Sequence, residues 1–282
     1  AGILAVWQAF TQVCRGEWET GRIALEQILT TPDLSHFRRN PATAALIRVY
    51  SRQGNFARAG ELVATYKPSP GPLTRQAVMF CPVIEYAWLS GDEARFAAMI
   101  AEYYPKLEAA QADAYAGELA YWQWQAGEPV VNHDWLARPY QLQIAGNWRE
   151  AADCWLDLGY PYEAARALSH GDQAAKLQAL TSLEELGAQP LVDKLRAELR
   201  GEGLKQLPRG RRASTLENPF GLTNRQVQIL ALLTESLSNT EIASRLHLSA
   251  KTVGHHVSAI LGTLQVASRE EAAELARRHP DF

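Results

Sequence analysis

Four glycines recur at nearly regular intervals through the first half of this 282-residue chain, and a fifth follows after a shorter interval. They are Gly16, Gly54, Gly91, Gly127 and Gly146, separated by 38, 37, 36 and 19 residues. Each ends a stretch with helical apolar periodicity, and most are followed by a second such stretch. Glycine just after a helix allows the left-handed backbone that ends the helix in a tight turn. The pattern therefore predicts antiparallel pairs of helices.

Small residues stand five positions after three of these glycines, at Gly21, Ala59 and Ala151. Small side chains at this place would allow the two helices of a pair to approach closely. The third copy has Phe96 there, and residues 130–133 replace the second helix of the fourth copy with Val-Val-Asn-His. Helix pairs repeating every ~34–40 residues are typical of solenoids, and the pattern resembles tetratricopeptide repeats. An all-α, tetratricopeptide-like domain is expected over residues 1–200.

The aromatic residues divide the chain into two parts. All eight Trp and all ten Tyr lie before position 163, whereas the last 65 residues contain only Phe220 and Phe282 as aromatics. Two different cores are therefore expected. Residues 201–217 contain turn formers and an excess of basic side chains, which predicts a basic linker. A second domain is then expected over residues 218–282.

Several classes of protein are not supported by the composition. No apolar run of about 18 residues predicts a membrane span. Cys14, Cys81 and Cys154 are too far apart in sequence for a zinc motif or a disulfide framework, so free thiols in a reducing cytoplasm are expected. No nucleophile with a matching base is recognisable, and the adjacent His255 and His256 point to different sectors of a helix. Neither an enzyme nor a bound metal or cofactor is predicted.

Capping signals predict four short helices after the linker, at about 224–235, 239–246, 250–264 and 269–278. Three of the helix starts carry the Ser/Thr-x-x-Glu/Gln pattern, in which side chain and backbone cap each other reciprocally. The pairs are Thr223 with Gln226, Ser238 with Glu241, and Ser268 with Glu271, and Ser249 begins the remaining helix without an acidic partner.

Only residues 247–249 separate the second and third of these helices, and so short a connection predicts a steep crossing of the helix-turn-helix type. The third helix has an apolar stripe at spacings of three and four, which is expected to be buried. The stripe consists of Val253, Val257, Ile260, Leu261 and Leu264. The opposite side carries Lys251, His255 and Ser258, with Gly254 at its edge, and is expected to face a major groove.

These residues resemble the LuxR-type helix-turn-helix. The resemblance rests on Ser238-Asn239-Thr240-Glu241-Ile242-Ala243, Lys251-Thr252-Val253 and Ser268-Arg269, and on the opening Gly221-Leu222-Thr223. It implies DNA contacts from Arg225, Ser238, Asn239, Ser249, Ala250, Lys251, Thr252, Gly254, His255 and Ser258. It also implies that two copies pair through the fourth helix on DNA, and such a two-fold homodimer would read an inverted-repeat operator. The interface residues expected there are Arg269, Ala273 and Ala276. The alternative is that the alanines of this helix close the core of their own domain.

The segments from Ala120 to Pro129 and from Tyr162 to Ala165 resemble the region before this domain in large ATP-binding LuxR regulators. No Gly-x4-Gly-Lys-Ser/Thr loop occurs in the sequence, so an ATPase module is expected to be absent or to have been removed. One alternative interpretation is therefore the C-terminal part of an ATP-dependent switch.

The main interpretation is a cytoplasmic, nucleoid-associated bacterial transcription regulator whose repeat domain senses a ligand or protein partner. RNA polymerase is a further candidate partner. Four aromatic residues are candidates for stacking on an effector, although core packing is the more common role of such residues. They are Tyr121, Trp122, Trp124 and Trp135. A second alternative is a protein-interaction scaffold with a degenerate helix-turn-helix, favoured by Gly254 and by the six basic against seven acidic residues of 216–282.

Overall fold

The structure, a computed structural model, describes residues 2–65, 71–204, 207, 222, 224–246, 248–264 and 266–278, with only the backbone of Asn224. The chain divides into two compact units, Ala1–Pro208 and Arg209–Phe282. All regular structure in the described residues is α-helical, which confirms the predicted fold class. None of the described helices combines the length and the apolar run that crossing a bilayer requires.

The described residues of the first unit contain twelve helices, and we number them in chain order. They are α1 (Ile3–Cys14), α2 (Trp18–Leu29), α3 (His36–Gln53), α4 (Phe56–Ala64), α5 (Leu73–Ser90), α6 (Glu93–Ala109), α7 (Asp113–Gln125), α8 (Arg138–Ile144), α9 (Trp148–Asp157), α10 (Pro161–Leu168), α11 (Gln173–Leu186) and α12 (Gln189–Gly201). Most of the predicted linker lies outside the described residues. Of its described part, Gly201 ends α12, and Leu204 and Leu207 pack against the core of the first unit.

The turn glycines behave as the repeat predicts. Gly54 has a φ of 82° between α3 and α4, and the next amide, Asn55 N, donates to the carbonyl of Tyr50 at 2.8 Å. This hydrogen bond ends the helix, because it satisfies a carbonyl group of the last turn with the amide that follows the glycine. The other four repeat glycines also have positive φ. The predicted pairs α1–α2, α3–α4, α5–α6 and α8–α9 are therefore present, and the tetratricopeptide relationship itself stays a prediction.

The small residues of the repeat are required for close helix approach. A Cβ atom on Gly21 would lie 2.8 Å from Val13 Cγ2 and 3.1 Å from the Ala9 carbonyl oxygen. Ala59 and Ala151 are fully buried at the corresponding positions. A larger side chain at these places would push the paired helices apart.

The fourth pair lacks its second helix, as the sequence indicates. After α7 the chain runs through residues 126–137 without a helix before α8 begins at Arg138. Side chains bond the backbone of this segment in place: Asn132 Nδ2 donates to the Gln141 carbonyl, and Gln141 Nε2 donates to the Asp134 carbonyl, both at 2.9 Å.

A buried network of charges links four helices of the first unit. Arg52 on α3 donates to Glu85 on α5 and to Glu163 on α10, each at 2.7 Å. Arg48 donates with Nη2 to both carboxylate oxygens of Glu118 on α7, at 2.6 and 2.8 Å. Burial opposes the ionisation of Glu85, but the guanidinium groups of Arg52 and Arg48 hold its pKa below the ordinary value.

The described residues of the second unit contain four helices, in the places that the capping pattern predicts. They are α13 (Asn224–Thr234), α14 (Asn239–Leu246), α15 (Ala250–Leu264) and α16 (Arg269–Arg278). Their core is separate from that of the first unit. Its fully buried members include Leu222, Ile229, Leu230, Ile242, Val253, Ile260, Ala272 and Ala276. The unit thus has an apolar centre of its own.

Candidate nucleic-acid interface

The N-terminus of α14 is held by the predicted capping box. Ser238 N donates to Glu241 Oε2 at 2.7 Å, and Glu241 N donates to Ser238 Oγ at 3.3 Å. Hydrogen bonds from the Ser238 side chain and backbone lower the pKa of Glu241. Ser238 is exposed, and its hydroxyl also donates to Glu241 Oε2. Its side chain therefore has a structural role whether or not DNA is bound.

The N-terminus of α15 is capped by Ser249, also as predicted. Thr252 N donates to Ser249 Oγ at 3.0 Å, and the two hydroxyl groups lie 2.7 Å apart. Ser249 and Ala250 are exposed, while Thr252 is half-buried. This first turn of the helix is thus ordered by its own side chains. The predicted cap of α13 by Thr223 lies outside the described residues.

The two sides of α15 differ as the periodicity predicts. Val253 and Ile260 are fully buried, and Val257, Leu261 and Leu264 are half-buried against the same core. On the other side, Lys251, His255 and Ser258 are exposed. The helix therefore packs by one stripe and presents a polar surface to the solvent, which is the arrangement of a helix that reads a major groove.

Gly254 lies at the edge of this exposed surface, next to α14. A Cβ atom there would meet only Asn239 Nδ2, at 3.7 Å, which is an ordinary van der Waals distance. Asn239 in turn accepts a hydrogen bond from Arg269 at 3.5 Å, and Ser258 Oγ donates to the Gly254 carbonyl at 3.1 Å. The packing therefore does not require glycine at this position.

Residues 221–276 match the family described as bacterial regulatory proteins, luxR family. Curated relatives include response regulator protein VraR of Staphylococcus aureus strains Mu3, NCTC 8325 and COL. Each is 36% identical over 102 residues, which is 34% of this chain and 49% of the relative. The chain thus spans about half the length of the curated relatives it matches. No solved structure matches the chain.

Residues 221–276 form a LuxR-family domain. The match confirms the resemblance on which the expected DNA contacts depend. It covers α13, α14 and α15 in full and most of α16. The first unit lies outside this match.

Arg225 has a structural partner inside the LuxR-family domain. Its Nη2 donates to the carbonyl of Leu246, at the end of α14, at 2.6 Å, and its Nη1 donates to Gln228 at 2.8 Å. A cation at a helix C-terminus is favourable because it compensates the partial negative charge of the free carbonyls. Arg225 thus ties α13 to α14, and a phosphate contact would have to compete with these bonds.

Two of the three predicted interface residues are not available at the surface. Ala273 and Ala276 are 3% and 0% exposed because they pack in the core of their own domain, where α16 meets α13. Their small size therefore permits close approach within one copy, and the prediction that they contact a second copy is wrong. Arg269 donates to the carbonyl of Leu237 at 2.5 Å and thus braces the start of α14. The exposed apolar side chain of α16 is Leu275.

The aromatic residues proposed as an effector pocket do not form one. Tyr121 and Trp122 are each 1% exposed, with the guanidinium of Arg166 lying 4.0 Å from the Tyr121 ring centre. The ring centre of Trp124 lies 6.0 Å from that of Tyr121. Trp135 does not join them, because it stacks on the ring of His133. With Tyr121 and Trp122 enclosed, no ligand can stack on them, and their role is core packing.

A cavity of about 970 Å³ lies elsewhere in the first unit, and none of those four residues lines it. Its walls come from α5, α6, the end of α7 and the start of α12. None of its residues was predicted from the sequence to line a binding site. The signal that could have found them is the missing second helix after Gly127, since a helix lost from a stacked array leaves its neighbours uncovered.

Proposed function

We propose that this chain is a sequence-specific, DNA-binding transcription regulator in which the helical unit senses an effector. The observation that carries the proposal is the two-sided α15 of the LuxR-family domain, with Lys251, His255 and Ser258 exposed opposite a buried stripe. A capped, packed helix with a free polar side is suited to insertion into the major groove of double-stranded DNA.

The placement of the exposed residues suggests how such a domain would divide its contacts. Lys251 and the hydroxyl groups near the start of α15 suit phosphate oxygens, which set the position of a protein on DNA. His255 and Ser258 lie further along the helix and suit base edges. Because residues 216–282 carry no net excess of basic side chains, a single copy would bind weakly.

Weak binding by one copy favours two copies on an inverted repeat. With Ala273 and Ala276 buried, the surface of α16 that remains for pairing is the side that carries Leu275 and Arg278. We include this two-fold arrangement in the proposal, together with a cytoplasmic location beside the bacterial nucleoid.

Selection from genomic DNA tests the proposal. The full chain is mixed with fragmented bacterial genomic DNA at moderate ionic strength, and the captured fragments are sequenced. The proposal predicts enrichment of a shared inverted-repeat sequence. Fragments captured without a common sequence, or no capture at low salt, would instead favour the protein-interaction scaffold, for which the low basic charge of residues 216–282 is the supporting observation.

A further inference from the structure

The cavity of the first unit borders the segment where the array lacks a helix, since Ala126 and Glu128 contribute to its wall. α3 and α5 are each followed by a partner helix, whereas residues 126–137 after α7 are not helical. Along the neighbouring α6, Ala97 and Ala101 remain exposed on the side that lines the cavity. The lined stretch of α6 runs from Glu93 to Pro105, which is about 18 Å of helix. The volume of about 970 Å³ lies within the range of small-molecule sites, roughly 300–1,000 Å³.

The wall of the cavity includes aromatic rings, and one of them already has an ammonium group over its face. Trp88 is half-buried, packed against Phe96 at 5.2 Å and against Trp122 behind it at 6.0 Å between ring centres. The Nζ atom of Lys194, on α12, lies 4.8 Å from the centre of the Trp88 ring. The negative face of an indole ring attracts such a cation. This wall is therefore shaped to accept an ammonium group.

Three side chains of the cavity wall, Gln123, Glu93 and Glu128, offer hydrogen-bond acceptors. Gln123 Nε2 donates to the Pro129 carbonyl at 2.9 Å, and its buried Oε1 accepts no hydrogen bond from any described residue. A buried acceptor without a donor is costly, so this oxygen favours a ligand that brings an N–H or O–H group. Glu93 and Glu128 add two carboxylates to the lining, against the single cation of Lys194. The charge of the lining thus favours a positively charged ligand.

We propose that this cavity binds a small molecule with an apolar, ring-containing body and a protonated amine. The body lies along Ala97 and Ala101, where the missing helix leaves α6 uncovered. The ammonium group takes the place over Trp88 that Lys194 now occupies, near the acceptors of the lining. Because Lys194 belongs to α12, ligand binding and the position of this last helix of the first unit are coupled. The inference rests on the proposed sensing role, and it identifies the chemical class of the effector.

Three indole compounds of nearly equal size separate the chemical classes. Isothermal titration of the full chain, without DNA, compares tryptamine, tryptophol and indole-3-propionate, which carry an ammonium, a hydroxyl and a carboxylate on the same ring. The proposal predicts that tryptamine binds about tenfold more tightly than tryptophol, the equivalent of about 1.4 kcal/mol, and that indole-3-propionate binds least. Equal affinities, tightest binding of the carboxylate, or no binding by any of the three would overturn it.

Substitutions on α6 and α12 locate the bound amine. Ala101→Trp fills the cavity from an exposed position, and Ala98→Trp, exposed on the same helix but outside the lining, is the matched control. Tryptamine binding should be lost in the first variant and kept in the second. Lys194→Met keeps most of the side-chain stem but removes the competing ammonium, so it should tighten tryptamine binding about threefold, an attraction of the size expected for a cation over an indole.

The same preparations separate this inference from the proposed function. Circular dichroism checks that each variant is folded. Retention of tryptamine binding in Ala101→Trp, or weaker binding in Lys194→Met, would overturn the assignment of the cavity. DNA binding is measured separately on the unmodified chain, so a failure to select DNA would count against the proposed regulator while leaving the amine titration to decide the cavity.

Discussion

Replacing Gly254 should stabilise the LuxR-family domain. The residue lies inside α15, where glycine is about 1 kcal/mol less favourable than alanine because its backbone loses more freedom on folding. A Cβ atom at this position would lie 3.7 Å from its nearest neighbour, Asn239 Nδ2, so no clash opposes the gain. We expect Gly254→Ala to raise the free energy of unfolding by about 0.5–1 kcal/mol.

Thermal unfolding of the isolated domain, followed by circular dichroism, measures this effect. For a domain of this size, ~1 kcal/mol corresponds to a rise in Tm of about 4–8 °C. Gly262→Ala is the matched control, because Gly262 lies on the same helix with nothing within 4 Å of an added Cβ. Both variants should be stabilised. If Gly254→Ala alone lowers Tm, α15 packs against α14 more tightly than the 3.7 Å spacing implies, and the reasoning is refuted.

A charged residue at the same position tests the orientation of the helix. Gly254→Lys should gain the same helix propensity as Gly254→Ala and also place a cation beside Lys251 on the exposed side of α15. Its DNA affinity should fall more steeply with salt than that of the alanine variant, by about one unit of slope per added phosphate contact. Fluorescence anisotropy across a salt series measures both. Identical slopes would mean that this side of α15 does not face DNA.

Three further substitutions test other parts of the structure. Lys251→Ala should weaken binding to all DNA sequences and lower the salt slope by about one unit. Arg277→Ala removes an equal charge from an exposed position of α16 outside the proposed pairing side, and it should lower the slope less in the same anisotropy assay. Leu275→Glu should abolish cooperative DNA binding in band-shift titrations. Its helical content should not change, since the Leu275 side chain is exposed. Unchanged cooperativity would exclude this side of α16 from pairing. Glu85→Gln should cost about 3–5 kcal/mol near neutral pH by urea titration of Trp fluorescence, because it leaves Arg52 without a full counter-charge. The pKa of Glu85 is lower in the folded protein than its ordinary value. The stabilisation by Glu85 is therefore fully present above the ordinary glutamate pKa and is lost as the pH falls through the lowered pKa. The difference in free energy of unfolding between the unmodified chain and Glu85→Gln should accordingly shrink in acid.

The local signals of this sequence predicted local structure well. The capping residues Ser238 and Ser249 fix where α14 and α15 begin, because the hydrogen bonds they make connect residues only three positions apart. The turn glycines of the first unit act in the same way. Such features need no knowledge of distant residues, and the helix boundaries they predicted differ from the structure by at most one residue.

The errors arose where burial depends on what packs across from a residue. Ala273 and Ala276 suit a close contact, but the sequence does not state whether the partner is a second copy or, as the structure shows, α13 of the same domain. Tyr121 and Trp122 present the same ambiguity between a binding surface and a core. Residue type predicts that a contact forms, and only the tertiary arrangement determines with what.

The cavity could not be predicted from the residues that line it, because the relevant signal is a helix that the repeat lacks. Trp88 and Tyr104, which line it, have no pattern that distinguishes them from ordinary core residues of helical repeats. Phe96 departs from the small residue of the repeat, but this departure does not indicate a ligand site. The cavity borders residues 126–137, which are not helical, and on the neighbouring α6 the lining residues Ala97 and Ala101 are exposed. In a stacked array each helix covers its neighbours, so a break in the repeat predicts an uncovered surface one helix away. Degenerate copies of a repeat are therefore the places to examine for ligand sites in proteins of this architecture.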